Sequence, residues 1–310
     1  MRKRMIYKLG MFGMITAIML GGCKKDDSQE QIQNEMRLLE QYLADNNITQ
    51  EPTATGLYYI PIVEGTGMTP TQGTWIDIEF TGMLIDGTIF ATSDESIAET
   101  NNIFTEDFLY GPSRVQLGHI PMRGLNEGIK LMKVGEIAKF IIPSSLGLGK
   151  GASGNVPGYS TLIYTIELLE AFDDPAQHEQ EKIWEYLKES EFENLDSTAS
   201  GLYYVRELEG TGPLFRDGDL VSVIYTGQLL DGRDFDTNVG EEAFSFMIPG
   251  EYIIPGWNEG IKLMRDGEIG ILIIPYRHGY GEEGRLNDLG HTMIPPYSTL
   301  VFYLETNKGS

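Results

Sequence analysis

Few side chains in this 310-residue chain have the types and spacing that metal-dependent or thiol chemistry needs. Cys23 is the only cysteine, so no disulfide can form within the chain. The four histidines, His119, His178, His278 and His291, show no paired spacing, and the sequence therefore predicts no metal site. The chain has 46 acidic and 23 basic residues, a net charge of −23, which argues against nucleic acid as a partner.

An internal duplication allows two halves of the chain to be compared with each other. Gly56 to Gly67 reads GLYYIPIVEGTG, Gly201 to Gly212 reads GLYYVRELEGTG, and matched blocks follow each copy in the same order. The length suits two domains that each bury a core. The predicted organisation is a signal peptide at 1–22, a lipidated tether and helix at 23–50, a first domain at 51–171, and a helix with a second domain at 172–310.

The first 23 residues are typical of an export signal. Four basic residues precede an apolar run, Leu9 to Leu20, that is too short to span a membrane. The run leads into Leu20-Gly21-Gly22-Cys23, which resembles the bacterial lipobox, where the cysteine is lipidated. We therefore expect Cys23 to anchor the chain in a bacterial cell envelope, with the outer membrane favoured over the inner and the face left open. A buried inert thiol or a stray nucleophile is the alternative.

Within each copy, alternating apolar residues predict a half-buried strand. These residues are Ile76, Ile78 and Phe80 in the first copy and Val221, Val223 and Tyr225 in the second. An Asp-Gly pair follows each strand and predicts a hairpin with a primed turn. Next comes a short helical segment, 125–132 or 257–264, whose first, fifth and eighth residues share a face. Mostly antiparallel strands with one short helix indicate an α+β domain.

Each copy is also preceded by a predicted helix. The first follows a polar tether, residues 24–31, and has the apolar stripe Ile32, Met36, Leu39 and Leu43. The second has apolar residues Ile183, Trp184 and Leu187 among charges. Between the copies, Phe172-Asp173-Asp174-Pro175 ends a strand and begins this helix, because proline is tolerated in a first helical turn.

Seven ordered blocks of the second copy carry a family resemblance. They are Tyr225-Thr226-Gly227, Asp231-Gly232, Phe235-Asp236, Ile253-Ile254-Pro255-Gly256-Trp257, Tyr280-Gly281, Ile294-Pro295-Pro296 and Tyr297-Ser298-Thr299-Leu300. In order and spacing they resemble the FKBP family of peptidyl-prolyl isomerases across nearly all of residues 201–305. The resemblance implies, for each copy, an antiparallel half-barrel sheet wrapped around a short helix, with a proline pocket between them. It implies no cofactor.

The resemblance also implies roles for individual residues. Tyr225, Asp236, Tyr280 and the backbone amide of Ile254 would be the catalytic groups, and Ile254 would donate to the substrate carbonyl. Trp257 would form the pocket floor, and the remaining substrate-binding residues would be Phe235, Phe244, Ile253, Met293, Ile294 and Phe302. Taken singly, such aromatic residues usually form core, and an aspartate such as Asp236 usually caps a turn. Their joint placement in the matched blocks favours the pocket.

An apolar pocket can catalyse this reaction without a nucleophile. Amide resonance gives peptide-bond rotation a barrier of about 18–20 kcal/mol. The two isomers of an X-Pro bond are nearly balanced, so a catalyst has only to change the rate. A pocket that removes water and binds the twisted amide preferentially lowers the barrier. The implied partners are X-Pro segments of client proteins, a membrane reached through Cys23, and macrolide inhibitors, but not nucleic acid.

The first copy has lost the polar groups of this pocket. Phe80 replaces Tyr225, Ala91 replaces Asp236, Leu125 replaces Trp257 and Leu148 replaces Tyr280, while Phe90 is retained and Tyr164 replaces Phe302. Val156-Pro157-Gly158 replaces Ile294-Pro295-Pro296. The first copy also carries about 14 extra residues after Phe90, which either fold over the groove, bind a client or simply enlarge the domain.

These comparisons predict an isomerase that acts on exported proteins through its second domain, with a degenerate first domain. Two alternatives stay open. Both domains could bind proline-containing segments without catalysing their isomerisation, as a chaperone-like binding lipoprotein would. The acidic first copy could instead assemble with other envelope proteins.

Overall fold

The computed structural model describes residues 27–288 and 290–309 and contains two α+β domains in tandem, which confirms the predicted fold class. The predicted signal peptide at 1–22 and the predicted lipidation site Cys23 lie outside the described residues. None of the helices within the described residues has the length and apolar character needed to cross a membrane.

The first domain consists of a leading helix and one antiparallel sheet. In chain order its elements are α1 (Asp27–Asp45), β1 (Tyr58–Val63), β2 (Trp75–Leu84), β3 (Ile89–Thr92), α2 (Glu95–Thr100), β4 (Ser113–Gln116), α3 (Arg123–Ile129), β5 (Ile137–Ile142) and β6 (Leu162–Phe172). The strand order is β1-β5-β6-β2-β3, and β4 also pairs with β2.

The second domain repeats this plan. Its elements are α4 (Pro175–Ser190), β7 (Leu195–Ser197), β8 (Tyr203–Leu208), β9 (Leu220–Leu229), β10 (Asp234–Thr237), β11 (Phe244–Met247), α5 (Pro255–Gly260), β12 (Ile269–Ile274), β13 (Arg285–Leu286), β14 (Thr292–Ile294) and β15 (Leu300–Lys308). A 3₁₀ turn, Ile261–Leu263, continues α5, and another, Tyr276–His278, follows β12. The strand order is β10-β9-β15-β12-β8-β7, and β11 also pairs with β9.

The short helix of each domain packs one face onto the sheet, as its spacing predicts. Leu125, Ile129 and Met132 are buried in the first domain, and Trp257, Ile261 and Met264 are buried in the second. The glycine in the middle of each helix allows a close approach. A Cβ on Gly128 would lie 2.6 Å from the Phe140 ring, and one on Gly260 would lie 2.4 Å from Leu272.

The predicted turn type is wrong, although both hairpins are present. Gly87 and Gly232 have φ of 89° and 85°, whereas Asp86 and Asp231 are not in the left-handed region. A two-residue primed turn with Asp at its first position would need positive φ there. Each aspartate instead accepts a hydrogen bond from the backbone amide two residues later, at 2.9 Å in the first domain and 3.2 Å in the second. The strand register shifts beside each hairpin.

The helix that precedes each sheet is present, but its buried face matches the predicted apolar residues only in part. α1 begins at Asp27, inside the predicted tether, and Met36 is 56% exposed. Trp184 in α4 is 60% exposed, whereas Ile183 is buried as predicted. The buried residue of α1 is an acid, Glu35, because polar groups of the segments just after β5 and just before β6 face the helix there.

Glu35 and its counterpart Glu179 attach the two leading helices in the same way. The amide and the hydroxyl of Ser144 each donate to Glu35 at 2.6 Å, and the Thr161 hydroxyl donates at 2.9 Å. In the second domain the Tyr276 amide donates to Glu179 at 2.7 Å, and the Thr299 hydroxyl also donates to it. Burial is the largest influence on the Glu179 carboxyl and raises its pKa.

The connection between the sheets is short and well capped. β6 ends at Phe172 and α4 begins at Pro175. The Asp174 carboxylate accepts from the amides of Ala176 and Gln177 at 3.1 and 3.0 Å, which satisfies two donors of the first helical turn. Proline at the first helical position loses no intrahelical hydrogen bond.

Candidate functional site

Trp257 forms the floor of an aromatic pocket in the second domain. It lies in the first turn of α5, next to Gly256, where a Cβ would come within 2.3 Å of Ile274. That close contact holds the start of the helix against β12. The Trp257 ring meets the rings of Tyr225 and Phe302 edge-on, with both centroid distances 5.1 Å. Such T-shaped contacts are favourable for aromatic rings.

One wall of the pocket is built over a glycine of β9, which has no side chain. Phe235 and Phe302 meet edge-on at 5.5 Å above Gly227 of β9. A Cβ at Gly227 would lie 2.7 Å from Phe235 and 2.8 Å from Phe302, so the rings can fold over the strand only because this residue is glycine. Gly82 has the same position in the first domain, between Phe90 and Tyr164.

A second wall comes from β11, where residues two apart share a face. Phe244 is 42% exposed, and its ring lies 6.2 Å from that of Trp257. Phe246 is buried and lies 6.0 Å from Trp257, so it belongs to the same aromatic cluster. Sequence comparison missed Phe246, although its spacing from Phe244 along a strand was a usable signal.

Two polar side chains meet at the pocket wall. The Tyr225 hydroxyl donates to Oδ2 of Asp236 at 2.8 Å. Burial, together with the hydrogen bond and the negative charge of Asp236, raises the pKa of Tyr225 above its usual value, so the hydroxyl stays protonated at neutral pH. The buried side chain of Asn238 holds β9 in place at Tyr225, because its Oδ1 accepts a hydrogen bond from the Tyr225 amide at 2.7 Å.

The corner before α5 is held by Asn258. Its Oδ1 accepts from the Gly250 amide at 2.8 Å, and its Nδ2 donates to the carbonyls of Gly250 and Ile253 at 3.2 and 3.4 Å. Ile254 caps the helix through its carbonyl. Among the described residues, no acceptor is found for the Ile254 amide, so it remains the candidate donor to a substrate carbonyl.

The rim of the pocket is formed by the loop after β12 and by β14. Tyr280 and Met293 are half-buried and pack against the same hydrophobic cluster as Tyr225, while Ile294 is fully buried. The Tyr280 hydroxyl accepts from Arg285 at 3.3 Å, and the guanidinium lies 5.5 Å from the centre of the ring. Ile253 packs against this cluster as well. The structure therefore brings together all eleven residues predicted for the pocket.

The corresponding groove of the first domain is lined mainly by apolar side chains, with Arg114 and Arg233 among the polar exceptions. Strand register equates the two sites, because Gly82 pairs with Ala91 where Gly227 pairs with Asp236. Phe80, Leu125 and Tyr164 line a cavity of about 250 Å³ at the position of the second pocket. The cavity has no counterpart of the hydrogen bond between Tyr225 and Asp236, since phenylalanine and alanine occupy these positions.

One cluster of possible metal ligands arises only in the folded chain. Single ligand atoms of Asp77, Glu170 and His178 lie within 4.8 Å of one another. Asp77 is already paired with Arg114 through two hydrogen bonds of 2.8 and 2.7 Å, and Glu170 is paired with Lys182 at 2.6 Å. We interpret the cluster as an ion-pair network at the junction of the domains, since cationic side chains already neutralise its carboxylates.

Fold and site together define a class of protein: tandem α+β domains with an aromatic pocket between a half-barrel sheet and a short helix. The model of the family described as FKBP-type peptidyl-prolyl cis-trans isomerase matches residues 67–169 and 212–307. These regions make up more than half of the chain. The chain therefore belongs to the FKBP-type peptidyl-prolyl cis-trans isomerase family.

Several relatives match one or both domains. The chain is 40% identical over 136 residues to the isomerase FkpA of Aeromonas hydrophila, covering 43% of this chain and 47% of the relative. It is 41% identical over 122 residues to the FKBP-type 22 kDa isomerase of Escherichia coli, covering 39% and 56%. Mouse FKBP9 matches 76% of this chain and 34% of its own length, at 27% identity. The chain thus spans about half the length of the bacterial relatives it matches.

The chain is also similar to solved structures of FKBP-type proteins. The crystal structure of FkpA from Escherichia coli is 34% identical, covers 44% of this chain and 60% of its own, and has a TM-score of 0.37. The three FKBP domains of wheat FKBP73 cover 82% of this chain and 95% of their own, at 21% identity and a TM-score of 0.34.

Proposed function

We propose that this chain is a peptidyl-prolyl isomerase whose activity resides in the second domain, and that its substrates are X-Pro segments of exported proteins. The observation that carries the proposal is the polar pair in an otherwise aromatic pocket. The Tyr225 hydroxyl and Asp236 are hydrogen-bonded at 2.8 Å beside the Trp257 floor. The first domain lacks both polar groups.

The pocket residues divide the work between binding and rate enhancement. Trp257, Phe235 and Phe302 exclude water from a prolyl ring, which strengthens the remaining hydrogen bonds. The Ile254 amide donates to the substrate carbonyl, and the Tyr225 and Tyr280 hydroxyls lie at the wall and the rim. Donors placed for the twisted amide stabilise it more than either planar isomer, which is the condition for a faster rotation.

The cellular setting belongs to the same proposal. An export signal at 1–22 and lipidation of Cys23 would tether the enzyme to the bacterial cell envelope, at the outer membrane in preference to the inner. Uncatalysed prolyl isomerisation takes tens of seconds, so a tethered isomerase would speed the folding of exported chains. The pocket is also expected to accept macrolide inhibitors.

A comparison of catalysis with binding tests the assignment. The double variant Tyr225→Phe with Asp236→Ala retains the aromatic ring and removes the polar pair. In the full chain we expect kcat for a leucyl-prolyl peptide to fall about tenfold, and the peptide Kd to change less than about threefold, because the lost interactions act mainly on the twisted amide.

The matched control is Phe80→Leu in the first domain, which should leave both quantities unchanged. Equal losses of kcat and affinity would contradict the catalytic role. They would favour the second candidate, a chaperone-like peptide-binding protein. One observation supports that candidate: the first domain keeps a cavity of about 250 Å³ that is lined mainly by apolar side chains and lacks the polar pair.

A further inference from the structure

The extra residues of the first domain form a defined bridge to the second domain. Residues 93–112 connect β3 to β4, whereas residues 238–243 connect β10 to β11, so the first domain is 14 residues longer here. The addition contains α2 and a following stretch, residues 103–112, which we call the bridging segment. Phe104 stacks on Tyr110 at 5.5 Å, and Phe108 meets Tyr110 edge-on at 4.9 Å, so the three rings pack together within the segment.

The bridging segment is fixed to the second domain on one side by Arg233. The Arg233 guanidinium donates to the carbonyls of Tyr110 and Pro112 at 3.0 and 3.1 Å. A salt bridge of 2.7 Å from Asp231 orients the guanidinium. Arg233 lies two residues before Phe235, so this anchor is next to the pocket wall.

A second anchor joins the bridging segment to the residues that lead into β14. The Asn287 side chain donates to the Asp107 carbonyl at 2.7 Å, and the Phe108 ring meets His291 edge-on at 6.2 Å. His291 lies two residues before Met293, which is a rim residue. The two anchors therefore fix the bridging segment to the stretches of chain that lead into Phe235 and into Met293.

Leu109 stands between the two anchors. It packs against the hydrophobic cluster of the second domain, the cluster that Tyr225, Phe235, Tyr280 and Met293 also join. Leu109 also lines the cavity of the first domain. Its half-buried side chain therefore contacts the second-domain cluster and lines the cavity as well.

We infer that Leu109 is a specificity-determining residue of the second-domain pocket: it occupies the mouth of the pocket as an internal competitor that client segments must displace. The inference rests on the proposed function, since it concerns access to the same pocket. It gives the degenerate first domain a task, which is to select clients that bind more strongly than its own leucine.

Leu109 is suited to block the pocket because it is not itself a substrate for isomerisation. Its side chain is apolar and similar in bulk to a prolyl ring. The residue that follows is Tyr110, and peptide bonds without proline hardly populate the cis form. The only proline of the segment, Pro112, lines the first-domain cavity, and Arg233 holds its carbonyl. The segment therefore binds without serving as a substrate.

An internal competitor has a defined kinetic signature. When the pocket is open in only a fraction of molecules, the apparent Kd of a ligand is the intrinsic Kd divided by that fraction. In the full chain we expect Leu109→Ala to lower both the Kd and the KM of a labelled leucyl-prolyl peptide about five- to tenfold, with kcat unchanged. Leu131→Ala, at an exposed leucine of the same domain, is the matched control and should change neither.

Arg233→Ala provides an independent way to open the pocket. It removes one anchor of the bridging segment while the leucine at position 109 is retained. It should lower Kd and KM in the same direction. Combined with Leu109→Ala, it should add nothing further, since both substitutions act on one closed state. A Leu109→Ala chain whose Kd and KM rise would show that Leu109 is part of the binding wall and would overturn the inference, as would unchanged values.

The Kd measurement separates this inference from the proposed function. If no variant is catalytic but Leu109→Ala still tightens peptide binding, the isomerase assignment fails and the role of Leu109 stands. If catalysis is present and Leu109→Ala alters neither Kd nor KM, the assignment stands and the role of Leu109 fails. A chain that binds no proline peptide in any variant overturns both.

Discussion

The two domains share the same backbone positions for a pocket but carry different side chains at them. In the second domain Trp257 is surrounded by aromatic rings, and Tyr225 donates to Asp236 at 2.8 Å. In the first domain Leu125 and Phe80 line a cavity of about 250 Å³ that lacks such a polar pair. The bare glycine beneath the rings is kept in both, as is the acid that attaches the leading helix. The comparison shows that the scaffold residues are shared, while the pocket's polar groups belong to one domain.

The pocket floor offers the strongest test of this difference. Trp257→Leu gives the second domain the residue that the first domain has. We expect kcat/KM for a leucyl-prolyl peptide to fall about 30- to 100-fold, because the edge-on ring contacts that shape the floor are lost. The assay should use the full chain, with folding checked by circular dichroism.

The control for the floor is Leu125→Ala in the first domain, which should leave kcat/KM unchanged. Trp257→Phe should give an intermediate value, because it retains a ring. If Leu125→Ala lowers kcat/KM as much as Trp257→Leu does, the two domains share the activity and the proposed asymmetry is wrong.

The buried glutamates test what the two domains have in common. Glu35→Ala and Glu179→Ala should each reduce the free energy of unfolding by about 1–3 kcal/mol, because each leaves buried amide and hydroxyl donors without an acceptor. Denaturant titration of the full chain would measure this. Glu189→Ala, at an exposed position of α4, should have no measurable effect.

Glutamine separates hydrogen bonding from charge at the same position. Burial raises the pKa of Glu179, so its ionised form is disfavoured in the folded state. Glu179→Gln keeps an accepting oxygen and removes the charge, and should therefore be close to neutral at pH 7. A loss as large as that of Glu179→Ala would show that the charge itself is required.

The smallest expected effect is on the free energy of unfolding and comes from Glu170 at the junction between the domains. This effect depends on pH. Hydrogen bonding to His178, followed by pairing with Lys182, lowers the pKa of Glu170 to about 2, despite an opposing contribution from burial. A carboxyl with a lowered folded-state pKa stabilises the fold above its unfolded pKa of about 4.5, and this stabilisation is lost as pH falls towards 2.

Glu170→Gln should therefore cost less than about 1 kcal/mol at pH 6, because the pair is partly exposed to solvent, and almost nothing at pH 2. Unfolding free energies at several pH values would show the two chains converging in acid. A difference that stays constant with pH would assign the effect to packing rather than to charge.

Much of the architecture could be predicted from local pattern. The strands around Ile76 and Val221 and the helix faces that begin at Leu125 and Trp257 follow from periodicity, which the backbone geometry imposes directly. The turn type was not predictable, because an Asp-Gly pair is compatible with more than one turn and the strand register decides among them. Glu35 as the buried residue of α1 was also missed, because an apolar stripe does not show that polar donors beside β5 and β6 face the helix.

The sequence by itself determined the duplication, the α+β class and the loss of the pocket's polar groups in the first domain, and it predicted eleven residues of the pocket. These are properties of residue identity and order. Only the tertiary structure decided that Phe246 joins the aromatic cluster, that Asp77 and His178 meet, and that Leu109 of one domain reaches the pocket of the other. Those contacts join residues far apart in the chain, and no local pattern encodes a distance that depends on how the domains pack.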